Sequence, residues 1–311
     1  MYNFRTDLTI ERSEIYKEKN HSENIDGIII EKNKKNNTQI TRVFVTNENG
    51  EKAIDKPIGD YITVDIDKVR GIDSQRIEEI ANVVAEELKK VIKKHIKDNQ
   101  EILVVGLGNI YVTPDALGPK VVPELEVTRH ILRYMPELIS KDARSVAAIA
   151  PGVLGITGIE TAEVIKGIVD NIHPKLLIVI DALAAKSIQR ISSSIQISDT
   201  GIVPGGGVEN KRKEISQRTL GIPVIAMGIP TVVESAVLVN DCLDLFITKL
   251  QNDAQSNQYL NKIKDEDNYE EIKEALVPND YNMIVTPKEI DELIENMKEI
   301  IAMGINIATQ K

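Results

Sequence analysis

Residues 101–118 read EILVVGLGNIYVTPDALG, and this stretch decides the fold because an apolar run ends in two closely spaced glycines. The apolar run predicts a buried β-strand. Gly106 and Gly108 allow the backbone to turn sharply where that strand ends. A dinucleotide-binding turn would need a third glycine where the chain has Tyr111. The stretch therefore favours a strand whose end presents Asp115 for chemistry.

The chain after residue 101 alternates apolar runs with helical segments, of which we place one near 118–135 and another at about 158–171. Near-continuous apolar strands between helices are typical of a mostly parallel sheet that helices flank on both faces. We therefore predict an α/β fold, with ligands bound at the carboxyl ends of the strands. Besides the first strand, the apolar runs are residues 145–152, 175–184, 194–202 and 223–233.

The N-terminal part has a different pattern. Short alternating segments at residues 25–70 predict an added β-rich region, whereas residues 1–24 are polar and show no clear core-facing pattern. Asp73 and Ser74 offer N-caps for a long helix with an apolar stripe. We interpret residues 251–280 as a mobile loop or a solvated helix. Pro287 marks the start of a final amphipathic helix.

Composition excludes several classes of protein. The 48 acidic and 38 basic residues give a net charge of −10, which disfavours general affinity for nucleic acid or anionic membranes. A charged N-terminus and the lack of a long apolar stretch predict no signal peptide and no membrane span. The single cysteine, Cys242, excludes an intrachain disulfide. We expect a cytoplasmic protein.

A second aspartate strengthens the case for chemistry at Asp115. The segment KLLIVIDALA ends an apolar strand in Asp181. If the two strands are neighbours, Asp115 and Asp181 meet over one crevice, although each could instead cap a helix. Two nearby carboxylates repel, so that one pKa rises and the other stays low. Such a pair can activate water and protonate a leaving amine.

Loops rich in Gly, Thr and Pro follow the other strands at residues 151–161, 198–212 and 228–234. They could bring backbone N–H groups to a substrate carbonyl. Asp199 and Glu160 are further carboxylates in these loops. The alternative to a catalytic role is that Asp199 forms a turn and Glu160 lies in the first turn of a helix. The residues expected to contact substrate are Gly108, Asn109, Thr157 and Asp199.

Other catalytic chemistries find little support. The four histidines are scattered and none has the H-E-x-x-H spacing of a zinc site. Ser192 and its neighbours lack the G-x-S-x-G turn of a nucleophilic serine. We therefore expect no cofactor and no metal, with a metal site built from carboxylates as the remaining alternative.

Long blocks of the chain resemble the spore germination proteases of endospore-forming bacteria: GLGNIYVTPDALGPKVV, APGVLGITGIETAEVIKGIV, IDALAAKSIQRISSSIQISDTGIVPGGGVENKRKEIS and TLGIPVIAMGIPTVV. The resemblance implies endopeptidases that degrade the small acid-soluble proteins coating spore DNA. It implies a fold similar to that of hydrogenase maturation endopeptidases, and an atypical aspartic mechanism whose two aspartates match Asp115 and Asp181. It also implies homotetramers, no metal requirement and a location in the forespore and spore core.

The resemblance further implies an inactive zymogen that removes its own N-terminal propeptide. The family cuts after an acidic residue and before a large apolar one, with another acid downstream. Residues 6–11, TDLTIE, resemble that pattern, so we expect self-cleavage between Asp7 and Leu8. The propeptide would be residues 1–7 and the single peptidase domain 8–311. The rival hypotheses are a metal-assisted maturation peptidase of the same fold, a nucleotide-binding module and an inactive scaffold.

Overall fold

The computed structural model describes residues 6–20, 24–67, 69–140, 143–205, 212–240, 242–243, 246 and 283–310. Within these ranges the chain forms one nine-stranded sheet with the order β1-β2-β3-β7-β8-β6-β4-β5, and β9 pairs with β8. The strands are β1 Ile28–Lys35, β2 Thr38–Val45, β3 Gly59–Asp65, β4 Ile102–Gly106, β5 Val146–Ile149, β6 Leu176–Ala185, β7 Ser194–Ser198, β8 Val224–Glu234 and β9 Ile284–Val285.

Helices cover both faces of the sheet, as an α/β fold requires. They are α1 Thr9–Asn20, α2 Glu48–Ile54, α3 Ser74–His95, α4 Leu117–Val121, α5 Arg129–Tyr134, α6 Leu154–Thr157, α7 Thr161–Ile172, α8 Gln217–Leu220 and α9 Ile290–Thr309. Residues 235–240 are also helical. None of the helices in the described ranges is long and apolar enough to cross a membrane.

The centre of the sheet is parallel, as the buried apolar runs predict. Strand β4 lies between β5 and β6, and β6 pairs with β8, all in parallel. In this register Gly106 lies opposite Ile180, and Asp181 lies opposite Gly228. The predicted adjacency of the strands that precede Asp115 and Asp181 is therefore confirmed.

The other half of the sheet is antiparallel, and it includes β7, which the sequence placed among the strands of the parallel part. Strand β7 runs against β8 and β3, and β3 continues through β2 to β1. The β-rich region at residues 25–70 is therefore hydrogen-bonded to the main sheet. All five residues of β7 are buried, with Ile195 and Ile197 in the main core, and burial on both faces does not encode the direction of the strand.

Two long helices form one face of the core. The helix α3 begins as predicted, since the side chain of Asp73 accepts a hydrogen bond from the backbone N–H of Arg76. Its apolar stripe packs against α9 and against one side of β4 and β6. The opposite side of these strands packs against α7. The central strands are thus buried on both faces, and the polar site lies beside the end of β4, where Asp181 follows Ile180 within β6.

Two expectations from the sequence are wrong. The polar N-terminal segment contributes to the core through residues 6–20, because Leu8 is fully buried and Ile10 is 4% exposed against the end of β6. The helix expected near residues 118–135 is interrupted between α4 and α5. Pro123 lies in the short 3-10 turn after α4, where it lacks the N–H that a continuous helix needs. The predicted loop at 251–280 lies outside the described residues.

Candidate active site

The glycines after β4 allow the chain to fold back on the strand end. A Cβ placed on Gly106 would lie 2.1 Å from the carbonyl oxygen of Gly118. Gly108 has φ of +115°, and a Cβ there would lie 1.9 Å from the carbonyl oxygen of Asp115. Only glycine tolerates both this backbone conformation and this close approach. The turn therefore brings Asp115 directly against the end of β4.

Asp115 lies at the end of a single 3-10 turn that Pro114 helps to shape. Its Oδ2 accepts a hydrogen bond of 2.8 Å from the backbone N–H of Asn109. Burial raises the pKa of this half-buried carboxyl, while the N–H of Asn109 lowers it. The side chain of Asn109 in turn accepts a hydrogen bond of 3.0 Å from the N–H of Tyr111, so Asn109 ties the loop together on both sides.

Asp181 lies on the neighbouring strand and is only 6% exposed. The N–H of Leu107 donates to the carbonyl oxygen of Ile180 at 2.8 Å, which places Asp181 beside the glycine turn. Its Oδ1 accepts from the N–H of Ala182 at 2.9 Å. Burial raises the pKa of Asp181 well above its usual range, and the negative charges of Asp115 and Asp7 raise it further.

The two aspartates line one cavity of about 290 Å³. The segments after β5 and β7 supply much of the remaining wall, including Leu154, Thr161, Pro204 and Gly205. Thr231 also lines the cavity, but residues 228–234 form the end of β8 and not the loop expected from the sequence. At one side, Arg212 and Glu160 form an ion pair of 3.6 Å. In the part of the chain that the structure describes, no group of three or more His, Cys, Asp or Glu side chains is placed to hold a metal ion.

The N-terminal segment contributes Asp7 to the wall of this cavity. The backbone N–H of Asp7 donates to the carbonyl oxygen of Ala184, and the N–H of Ala184 donates back to Oδ2 of Asp7, both at 2.9 Å. Ala184 follows an irregularity in the β6–β8 register, where Thr231 is the extra residue. Leu8 then enters the apolar cluster beneath. The bond between Asp7 and Leu8 therefore lies beside the cavity.

The residues expected to contact substrate are not all at the cavity. Gly108 lines it, whereas Thr157 hydrogen-bonds within its own turn and is not among the lining residues. Asp199 accepts a hydrogen bond from the N–H of Asp60 at 2.8 Å and lies 3.4 Å from His95. The structure thus corrects the expected position of Asp199. Because β7 is antiparallel to β8, its end lies at the opposite edge from Asp181.

Sequence reasoning missed two residues that hold the segment before Leu8. The Nζ of Lys56 and the Nε2 of Gln196 both donate to the carbonyl oxygen of Asp7, at 2.9 Å and 3.1 Å. Lys56 gives no signal in the sequence, because a lysine next to a proline after a short helix is typical of an ordinary turn. Gln196 is the polar residue at the centre of the strand SIQIS, and its polarity there was a usable signal.

Comparison with known proteins identifies the family. A family model described as germination protease matches residues 6–263 and 248–311 of the chain. The chain belongs to the germination protease family. Germination proteases of Clostridium perfringens strain 13 and Clostridium acetobutylicum are 48% and 49% identical to it, over 100% of this chain and 96% of theirs. The germination protease of Priestia megaterium is 42% identical over 99% of this chain and 94% of its own.

This membership confirms the resemblance found in the sequence and makes the chain a germination-related peptidase, and so a hydrolase. Among solved structures, a nickel–iron hydrogenase maturation protease from Thermococcus kodakarensis is 18% identical, with a TM-score of 0.29. That match covers 45% of this chain and 80% of the other. Because the chain belongs to a family of peptidases, the chemistry to be explained at the cavity is the hydrolysis of a peptide bond.

Proposed function

We propose that the chain is an endopeptidase of the aspartic type that begins the degradation of small acid-soluble spore proteins during germination. The observation that carries this proposal is the pair Asp115 and Asp181, two carboxylates that line one cavity and repel each other. Neither carboxylate has a cationic partner in the described hydrogen bonds and ion pairs of the cavity. Such an arrangement keeps one proton on the pair over a wide pH range.

The surroundings of the two carboxyl groups determine which of them carries the shared proton in this proposal. Asp181 is the more deeply buried group and carries the more strongly raised pKa, so it holds the proton. Asp115 keeps its negative charge with the help of the N–H of Asn109. The Asp115 carboxylate then takes a proton from water as the water oxygen bonds to the peptide carbonyl carbon. Asp181 protonates the leaving nitrogen as the C–N bond breaks.

The proposal includes self-processing at the bond between Asp7 and Leu8, which releases the propeptide 1–7 and leaves a domain of residues 8–311. Two observations support it. Asp7 contributes to the cavity wall, and its charge acts on Asp181. While Asp7 is bound to Ala184, it occupies space that a protein substrate would need. The unprocessed chain is therefore a zymogen in this proposal.

We also propose that the enzyme works as a homotetramer in the forespore and spore core, without direct contact to nucleic acid or membrane. Several large apolar side chains are exposed to solvent in the single chain, which supports assembly. Tyr111, Tyr134 and Leu138 are 83%, 73% and 70% exposed. Large apolar surfaces that remain exposed commonly mark protein interfaces. Light scattering during gel filtration measures the mass of the assembly. A monomer at the concentration of the activity assay would contradict the proposed homotetramer.

The test of the mechanism uses Asp115→Asn and Asp181→Asn in the full chain. Both variants should lose self-cleavage and cleavage of an acid-soluble spore protein while remaining folded. The control is Asp170→Asn, since Asp170 is an exposed helix residue paired only with Lys166 in the described contacts. Mass spectrometry of the new N-terminus should give a start at Leu8 for wild type and the control. Wild-type activity in either active-site variant would contradict the proposal. In a separate test on the wild-type chain, activity that a chelator abolishes and a metal ion restores would favour a metal-assisted peptidase.

A further inference from the structure

The peptide group between Asp7 and Leu8 is held more closely than a loose N-terminal segment requires. On the Asp7 side, the residue forms two hydrogen bonds with the backbone of Ala184, one through its N–H and one through its carboxylate. Its carbonyl oxygen accepts two further hydrogen bonds, from Lys56 and Gln196. All the polar groups of this residue are thus engaged around the bond to be cut.

Gln196 contacts both sides of that bond. Its Nε2 donates to the carbonyl oxygen of Asp7, and its Oε1 accepts a hydrogen bond of 2.7 Å from the N–H of Thr9. The side chain is 8% exposed, so these bonds are shielded from water. In the sheet, Gln196 pairs with Gly228, which in turn pairs with Asp181. The amide therefore lies at the same level of the sheet as the buried aspartate.

Lys56 supplies a positive charge to the same oxygen. The residue follows α2, is half-buried, and reaches the Asp7 carbonyl with its Nζ at 2.9 Å. Burial lowers the pKa of the ammonium group, and the charge of Asp7 partly offsets this effect. A cation and an amide donor on one carbonyl oxygen form the arrangement that stabilises an oxyanion.

We propose that Lys56 and Gln196 are catalytic residues that polarise the carbonyl group of Asp7 during self-cleavage. This inference rests on the proposed function, since it assumes that the bond after Asp7 is cut. When the water oxygen bonds to the carbonyl carbon, the electron pair of the C=O bond moves onto the oxygen that Lys56 and Gln196 hold. When the pair returns, the C–N bond breaks, and the nitrogen of Leu8 leaves with a proton as an amine.

The experiment measures the first-order rate of self-cleavage of the full chain by mass spectrometry. Lys56→Met should slow the reaction by about 10²- to 10³-fold, the usual loss when one oxyanion donor is removed. Lys52→Met is the matched control, because Lys52 lies on α2 with a side chain that is 75% exposed. It removes the same charge from the same element and should leave the rate unchanged.

Gln196→Glu is the second variant, which decides the question if Lys56→Met does not fold. It keeps an acceptor for the N–H of Thr9 but loses the donor to Asp7, so we expect a similar loss of rate. Thermal unfolding of each variant checks that the fold remains. A folded Lys56→Met or Gln196→Glu protein that self-cleaves at the wild-type rate would overturn this inference alone. Wild-type protein that never starts at Leu8 would instead overturn self-processing itself.

Discussion

Replacing Gly108 by alanine tests whether the glycine turn exists to position Asp115. The added methyl group would lie 1.9 Å from the carbonyl oxygen of Asp115 and 3.0 Å from its Oδ1. Ordinary contact needs about 3.5 Å, so the Asp115 loop must move by about 1.5 Å. The backbone at Gly108, with φ of +115°, adds strain for any residue with a Cβ.

The cost can be worked out from these two effects. A residue held at an unfavourable φ costs about 1–3 kcal/mol, and overpacking against backbone costs about 1–3 kcal/mol more. For a chain of 311 residues, a combined loss of about 2–6 kcal/mol lowers the melting temperature by roughly 3–9 °C. A displacement of about 1 Å at a reacting group costs roughly 100-fold in rate. We therefore expect Gly108→Ala to lose far more activity than its remaining folded fraction explains.

The assay compares Gly108→Ala with Gly167→Ala. Gly167 lies in α7, and a Cβ there would meet no atom within 4 Å. Alanine is favoured over glycine in a helix by about 1 kcal/mol, so this control should be as stable as wild type or slightly more so. Self-cleavage is measured at a temperature where circular dichroism shows both variants to be folded.

Two results would refute the reasoning about the turn. One is a Gly108→Ala protein with the activity of Gly167→Ala, which would mean that the Asp115 position does not depend on the glycine. The other is a variant that loses stability but keeps its full rate per folded molecule. In that case the turn would serve folding alone.

Three further outcomes are expected. The pKa of Asp181 is raised in the folded state, so above the ordinary aspartate pKa of about 3.9 the native chain holds a proton that the unfolded chain has lost. The free energy of unfolding therefore falls as the pH rises from about 3.9 to the raised pKa. Asp181→Asn should therefore melt higher than wild type at neutral pH, and melting curves over a pH series would expose an equal or lower value. Arg42→Leu removes bonds of 2.7 and 2.8 Å to Glu87, whose side chain is 2% exposed, and should cost about 2–3 kcal/mol in urea unfolding at pH 7. Burial raises the pKa of Glu87, but its hydrogen bonds from Arg42 and Lys90 lower it overall. The stability difference between wild type and Arg42→Leu should therefore shrink as the pH falls through that lowered pKa. A difference that persists in acid would contradict this. Ile300→Ala, in the core face of α9, should cost about 2–5 kcal/mol, and a loss below 1 kcal/mol would show that the face is not packed as described.

The central site was predictable because its signals are local. The apolar run of β4, the glycines at 106 and 108, and the aspartate that follows the apolar run of β6 are each visible in a few adjacent residues. Parallel pairing of the two strands then brings Asp115 and Asp181 to one edge. That step needs only the rule that buried apolar strands between helices form a parallel sheet.

The remaining features depend on partners far away in the chain. The buried Leu8 and Ile10 form part of the core only because Leu183 and Val233 lie beneath them. A segment with two core residues among polar neighbours shows no periodic pattern of its own. Likewise, the direction of β7 is set by its pairing with β3 and β8, which its own five buried residues do not encode.

The antiparallel half of the sheet supplies hydrogen-bond donors that the aspartate pair lacks. The parallel strands supply Asp115 and Asp181, the groups that move protons, at the edge where such strands end. They supply no cation for a carbonyl oxygen. Gln196 comes from β7, and Lys56 comes from the connection between α2 and β3. Because β7 runs antiparallel to β8, its middle reaches the level of Asp181 while its end does not. The proposed role of Lys56 makes the N-terminal region at residues 25–70 part of the catalytic machinery and not an appendage to it.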